Sequence, residues 1–312
     1  MRNKIAVIGT FCIDVIIKGF DRNLVKPDNI SFTDRTIIAL GGNGCNVAID
    51  LNLLGADVIV CGAVSEDIIG KIVKNCLFNC GIDVRLLKNI KKGNMSVSSI
   101  LVDETGEKSI TQYVGCNKEI ALNSDDITNI ASKTNWVVIT GLGLMPFIDS
   151  NFIEISKVLH NSGCQIFVDT SANTNSLKEY IQEDYFKYVD YFLPNYREAS
   201  DISQKENEYE IANYFEKLGC KNVIIKLGEK GCYYKTRDGD GYIDTIPLNA
   251  IDSTGAGDAF VAGFVYAISQ GFDIVEAMNI ANNVGGDCVK KIGSSSNIKK
   301  WNKYIKMQNN IT

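Results

Sequence analysis

Asp252-Ser253-Thr254-Gly255-Ala256-Gly257-Asp258-Ala259-Phe260 leads into an apolar segment, Ala259 to Gln270, that reads as a buried helix stopped at Gly271. The glycines therefore stand at a helix entrance. There the first backbone N–H groups lack partners within the helix, and the helix dipole favours an anion. Gly255 and Gly257 let the backbone approach phosphate oxygens closely, and Asp258 would stand beside a transferred phosphoryl group. Taken alone, the run is equally ordinary helix-start chemistry, a glycine turn followed by an acid in the first turn. Its neighbours in the chain decide between the two.

A second glycine loop, Gly41-Gly42-Asn43-Gly44-Cys45-Asn46, leads into a helix whose apolar positions 47, 48, 51 and 54 form one face ending at Gly55. Asn46 is a candidate N-cap. With Asn43 it also offers amide donors and acceptors suited to a polyhydroxylated ligand. Short apolar runs at Ile5 to Gly9, Val58 to Cys61, Trp136 to Thr140, Ile166 to Asp169, Tyr191 to Leu193 and Val223 to Lys226 read as buried strands separated by helix-length segments. Such alternation predicts a single α/β domain over residues 1–312, with a mostly parallel sheet, helices on both faces and ligands beyond the carboxyl ends of the strands. Two stretches, 13–40 and 93–116, break the rhythm. In the second, Met95 to Val102 and Ser109 to Tyr113 alternate like strands around Asp103-Glu104-Thr105-Gly106. Both are expected to form a small β-sheet lid near the Gly41 loop.

Composition narrows the function classes. A net charge of -5 and 22% charged residues, without a basic stripe, give no footprint for nucleic acid. No apolar stretch reaches membrane length and the N-terminal run is too short for a signal peptide, so a cytoplasmic location is expected. The ten cysteines lack a C-x-x-C pair, and a single histidine, His160, leaves little material for a triad or histidine-metal site. Cys76 and Cys80 share a helix face without a second ligand pair. No G-x-x-x-x-G-K-[ST], no strand-linked G-x-G-x-x-G and no protein-kinase signature occurs.

Over nearly its whole length the chain resembles the ribokinase-like (PfkB) family of carbohydrate and nucleoside kinases. The first family signature is similar to Gly41 to Ala48, continuing through Leu54-Gly55 to Gly62-Ala63-Val64-Ser65-Glu66-Asp67-Ile68-Ile69-Gly70; the second is similar to Asp252 to Phe260. Between them, Asn195-Tyr196-Arg197-Glu198 resembles the family's N-x-x-E element, though it is also a capping-box pattern, and Lys226-Leu227-Gly228-Glu229-Lys230-Gly231 resembles the nucleotide-side hairpin. The resemblance implies ATP-dependent phosphorylation with Mg²⁺. Asp258 would be the base, and Gly255, Ala256 and Gly257 would supply N–H donors to the phosphoryl group. Asp14, Gly42, Asn43 and Asn46 would bind substrate. Asn195, Lys226, Gly228, Gly231, Thr254 and Asn282 would line the nucleotide site, and Asn195 and Glu198 would hold Mg²⁺ through water. Asp252 and the Gly293-Ser294-Ser295-Ser296 segment correspond to a monovalent-cation (K⁺) loop. At a helix N-terminus Asp258 is expected to be a weak base.

Departures from the family pattern shape the substrate expectation. Asn43 stands where ribokinases typically carry Lys, and Gly141-Leu142-Gly143 lacks their acidic residue. An unphosphorylated sugar or sugar acid, phosphorylated on a hydroxymethyl group, is therefore expected rather than ribose. A phosphosugar would need basic groups such as Lys18, Arg22, Lys26 or Arg35 from the lid. A nucleoside kinase, with Phe11, Phe20, Phe32 or Tyr113 as base platforms, and a silent sugar or nucleotide sensor are the alternatives. Open lid edges suggest a homodimer.

Overall fold

Residues 4–20, 30, 32–103, 105, 107–246, 248–291, 293, 295 and 297–308 are described by the computed structural model. From the N-terminus, β1 (Lys4–Gly9), β2 (Cys12–Phe20) and β3 (Arg35–Gly41) precede α1 (Asn43–Leu54), β4 (Val58–Ser65), α2 (Ile68–Asn79), β5 (Asp83–Ile90), β6 (Ser96–Asp103) and β7 (Lys108–Tyr113). Next come α3 (Ser124–Ala131), β8 (Thr134–Leu142), α4 (Pro146–Ser150), α5 (Phe152–Asn161), β9 (Gln165–Thr170), α6 (Thr174–Lys178) and β10 (Tyr191–Phe192). The C-terminal third runs α7 (Tyr196–Ser203), α8 (Glu208–Lys217), β11 (Val223–Lys226), β12 (Cys232–Thr236), β13 (Gly239–Ile243), α9 (Ala256–Ser269), α10 (Ile274–Cys288) and α11 (Asn302–Gln308).

The main sheet has the order β13-β12-β11-β10-β9-β8-β1-β4-β5, parallel from β11 to β5, with β12 and β13 added antiparallel at one edge. Every residue of β4 is buried, as a central parallel strand covered on both faces requires. The six predicted strands are present, most of them longer than the apolar runs suggested. β5 escaped the sequence reading because its pattern mixes buried Val84 and Leu87 with Asp83, Arg85 and Lys88.

A second sheet, β3-β2-β6-β7, is the expected lid, starting at Cys12. Asp103 Oδ1 accepts from the N–H groups of Thr105 and Glu107, which forms the β6–β7 turn; Glu104 and Gly106 lie outside the described residues. Among the proposed phosphosugar contacts, Lys18 and Arg35 pair in register on β2 and β3, whereas Arg22 and Lys26 fall outside the description.

Two helix starts differ from the predicted ones, both for backbone reasons. α9 begins at Ala256, because Gly255 adopts φ 79 and turns the chain directly into the helix. α1 begins at Asn43 after Gly42 at φ 91, so Asn46 lies inside the helix and is not its N-cap. That frees the Asn46 side chain for another partner.

Under β9 and β10 lies an aromatic cluster. Phe186, fully buried, has ring centroids 4.6 Å from Phe192, 5.1 Å from Tyr185 and 5.6 Å from Phe215. Phe186→Ala should destabilise the protein by about 3–5 kcal/mol, read as a lowered urea midpoint with an unchanged slope.

Candidate active site

Asp258 occupies the first turn of α9 and is buried. Its Oδ1 accepts from the Asn43 side-chain amide at 3.0 Å and its Oδ2 from that of Asn46 at 2.8 Å, so the two glycine-loop signatures meet on one carboxylate. Burial raises its pKa, opposed by Asn46, Lys226 and Asn43. This direction is opposite to the one expected from the helix position alone, because burial disfavours the charged carboxylate. Asn43 and Asn46, expected to bind substrate, here orient that carboxylate.

The cradle is built by close backbone approach. A Cβ on Gly285 would lie 3.2 Å from the Ala256 carbonyl oxygen, so glycine there lets α10 pack against the α9 entrance. Of the predicted donors, the Ala256 N–H bonds the Ser253 carbonyl at 3.2 Å, whereas Gly257 lines the adjoining cavity with a first-turn N–H that the helix leaves without a partner.

That cavity, about 370 Å³, is lined by Asn195, Lys226, Gly228, Gly231 and Asn282 among the predicted nucleotide residues. Thr254 is not among its lining residues; its N–H and hydroxyl bond Asp252 Oδ1 at 3.0 and 2.7 Å, and Ser253 lines the cavity instead. Asn282 donates to the carbonyls of Ile243 and Asp244, which pins the end of β13 at the cavity. Leu248, Phe260 and Val289 supply an apolar wall suited to a flat heteroaromatic ring.

Lys226, at the end of β11, points toward the cradle: a Cβ on Gly257 would be 3.4 Å from its Nζ. It is buried against Asp169, 2.9 Å away at the end of β9. Burial pushes the Asp169 carboxyl up and Lys226 pulls it back. Asp169 closes the apolar run Ile166 to Asp169, and an acid ending a buried strand is the sequence signal for this role.

Asn195 and Glu198 form a full capping box at the start of α7. Glu198 N–H donates to Asn195 Oδ1 at 2.9 Å, and the Asn195 N–H donates to Glu198 Oε2 at 3.3 Å. The Thr170 hydroxyl also donates to that Oε2, at 2.8 Å. No cluster of three or more His, Cys, Asp or Glu among the described residues could grip a metal directly. The charge of Glu198 adds to burial in raising the pKa of both Asp169 and Asp258, so these three carboxyls form an oxygen-rich, net-negative neighbourhood around Lys226. This donor set fits Mg²⁺ held through waters.

On the lid side, Asp14 is buried on β2 and accepts from the Cys12 thiol at 3.4 Å; burial raises its pKa. Its oxygens lie only 2.3 Å from where a Cβ on Gly41 would stand, so the loop passes directly over it. Burial raises the pKa of the Cys45 thiol, and the charges of Asp14, Asp50 and Asp258 add to it. Asp252 and Gly293 do come together, the Gly293 N–H donating to Asp252 Oδ2 at 3.1 Å. Ser294 and Ser296 of that loop lie outside the described residues. The charge that Asp252 meets is the ammonium of Lys108, 2.6 Å from Oδ1. Burial raises the Asp252 pKa, but bonds from Lys108, Thr254 and Gly293 prevail and hold it at about 2. Of the suggested base platforms, Phe11 is core, Phe32 and Tyr113 are exposed, and the Phe20 side chain lies outside the description. His160 sits in the last turn of α5 beside the Tyr188 ring, away from these groups.

An anion-binding helix entrance facing a buried base across from a cavity is the arrangement of a small-molecule phosphotransferase. The chain belongs to the pfkB family of carbohydrate kinases, whose family model matches residues 2–301. It is 25% identical to the ribokinase of Staphylococcus aureus (strain COL), covering 96% of this chain and 97% of that one. It is 30% identical to a 5-dehydro-2-deoxygluconokinase of Clostridium perfringens (strain 13), over 78% of this chain and 76% of that one. In fold it is similar to Arabidopsis thaliana ribokinase complexed with ribose and ATP, at a TM-score of 0.84 and 23% identity over 98% of this chain and 99% of that one. A Methanocaldococcus jannaschii nucleoside kinase superposes at 0.80 with 20% identity, covering 99% of this chain and 98% of that one.

Asn46→Ala removes a donor that favours ionised Asp258, so the carboxyl pKa should rise further. The acid limb of the kcat/KM profile should then move to higher pH, with activity still lost as pH falls.

Proposed function

We propose that the protein transfers the γ-phosphoryl group of ATP to a hydroxymethyl group of an unphosphorylated sugar or sugar acid. The observation that carries this is the placement of Asp258 between Asn43 and Asn46 on one side and the Lys226-lined cavity on the other. A nucleotide in the cavity would set its heteroaromatic ring against Leu248, Phe260 and Val289 and its phosphates toward Lys226 and Gly257. The acceptor hydroxyl would lie against Asp258, its other hydroxyls reaching Asp14 and Gly42.

Phosphoryl transfer through a loose transition state asks mainly for positioning and charge stabilisation. Asn43 and Asn46 fix the direction of the Asp258 lone pairs. Burial keeps that carboxylate able to take the hydroxyl proton as the bond to phosphorus forms. Lys226, steadied by Asp169, and the first-turn amides of α9 meet the charge on the equatorial oxygens. Mg²⁺, held through water by Asn195 and Glu198, would neutralise the nucleotide phosphates when bound. K⁺ at Asp252 would share a carboxylate that Lys108 already neutralises, so the charge there is assigned to Lys108.

Free thiols at all ten cysteines fit a reducing, cytoplasmic location, and no helix among the described residues is long and apolar enough to cross a membrane. The lid edges β3 and β7 offer unpaired backbone that a second copy would cover.

ADP release from MgATP across sugars, sugar acids, phosphosugars and nucleosides tests the assignment. Turnover should concentrate on unphosphorylated sugars or sugar acids, and Asp258→Asn should lower kcat by roughly a hundredfold or more with ATP binding retained. Unchanged turnover would sink the base. Asp14→Ala should raise the acceptor KM with ATP affinity little altered; equal loss of both would place Asp14 elsewhere.

A further inference from the structure

Lys108 opens β7, the outermost lid strand, on which all six residues are exposed. Its ammonium nevertheless reaches the body of the protein, 2.6 Å from Asp252 Oδ1 and 3.0 Å from Thr254 Oγ1. Among the described residues this is the one ion pair joining the lid sheet to the rest of the molecule. Asp252 also takes the Thr254 N–H and hydroxyl and the Gly293 N–H, so its carboxylate ties together the lid, the α9 entrance and the loop after α10.

Register places this contact on the working face of the lid. Asp14 pairs with Ser98, and Ser98 with Gln112, four residues along β7 from Lys108. Alternate strand residues share a face, so Lys108 and Asp14 project from the same side of the sheet. Thr254 directly precedes Gly255, where the chain turns into the cradle. A bare Asp252 carboxylate there would repel an incoming phosphoryl group, and the Lys108 charge cancels that repulsion.

We propose that Lys108 is a positioning residue that couples lid closure to phosphoryl transfer, its ammonium fixing and neutralising the Asp252–Thr254 lead-in to the cradle only while the lid face bearing Asp14 is down. This rests on the assignment of Gly255 to Asp258 as the phosphoryl site. A lid that lifts carries the cation away and leaves Asp252 charged beside the cradle, so an open site is a poor phosphoryl donor site. Phosphoryl loss to water in the absence of acceptor is thereby suppressed.

The test uses the full chain without ligands and follows amide hydrogen exchange in 108–113 and 253–258. Lys108→Met should speed exchange in both segments together, by about threefold to fivefold, the scale of a partly buried ion pair. Lys108→Arg should preserve protection, and Lys108→Met combined with Asp252→Asn should add nothing to the larger single effect. Faster exchange in 108–113 alone, or in neither segment, would overturn the coupling, whatever the protein phosphorylates. With an acceptor that the native protein turns over, Lys108→Met should lower kcat about tenfold or more with ATP KM little changed. Lys108→Arg, or added methylammonium, should recover much of that loss. An unchanged kcat would refute the positioning role even if the exchange segments are coupled. Absence of turnover in the native protein on every acceptor would instead count against the phosphotransfer assignment and leave the exchange result to decide the lid contact.

Discussion

Two side-chain amides and one buried carboxylate hold the centre of this molecule. Among the described residues no lysine or arginine is bonded to Asp258; Asn43 and Asn46 supply its donors from the first turn of another helix. For both bonds to form, α1 and α9 must start at the same place. That demand explains the positive φ of Gly42 and Gly255, each turning the chain abruptly into a helix. It also accounts for Gly44 pressed against β1, where a Cβ would fall 2.8 Å from the Gly9 carbonyl carbon. Neutral donors stabilise the carboxylate without cancelling its charge, so burial still leaves it basic.

Around this pair the charges are graded rather than balanced. Asp169, Glu198 and Asp258 share the neighbourhood of Lys226, whose ammonium bonds Asp169 directly. A buried ion pair beside an unpaired base keeps the ammonium in place while its field extends over the cradle. The excess of carboxylate oxygen suits a hard divalent cation, and the first-turn amides of α9 suit phosphate. On the far side, Asp252 is engaged by Lys108 and its own loop, so among the described residues its charge is compensated from the small sheet rather than from the main sheet and its helices.

Membership of the pfkB family fixes the reaction class but not the acceptor, since one fold serves several substrates among its relatives. The proposed acceptor side is furnished by amides and carboxyls: Asn43 and Asn46, which orient Asp258, and Asp14. Such groups exchange hydrogen bonds with hydroxyls, and the carboxylates among them repel phosphate. Phe11, one of the candidate base platforms, is consumed by packing against Gly62, where a Cβ would clash at 2.4 Å.

Much of this was legible in the chain itself, because the signals involved are local. Buried parallel strands must be continuous apolar runs, and helix entrances that approach phosphate must contain glycine, so the strands, both glycine loops, the lid segments and the Asn195–Glu198 capping box could be read directly. Contacts between residues far apart in sequence had no such local trace. The partnership of Asn43 and Asn46 with Asp258, the Lys226–Asp169 pair and the reach of Lys108 to Asp252 each join positions that only the sheet order brings together. The basicity of Asp258 belongs with these: its helix position argues for a weak base, and burial, which only the packed fold creates, pushes the other way. Residue type and spacing determined the class of chemistry; desolvation and long-range pairing, which exist only once the chain is folded, decided how each group performs it.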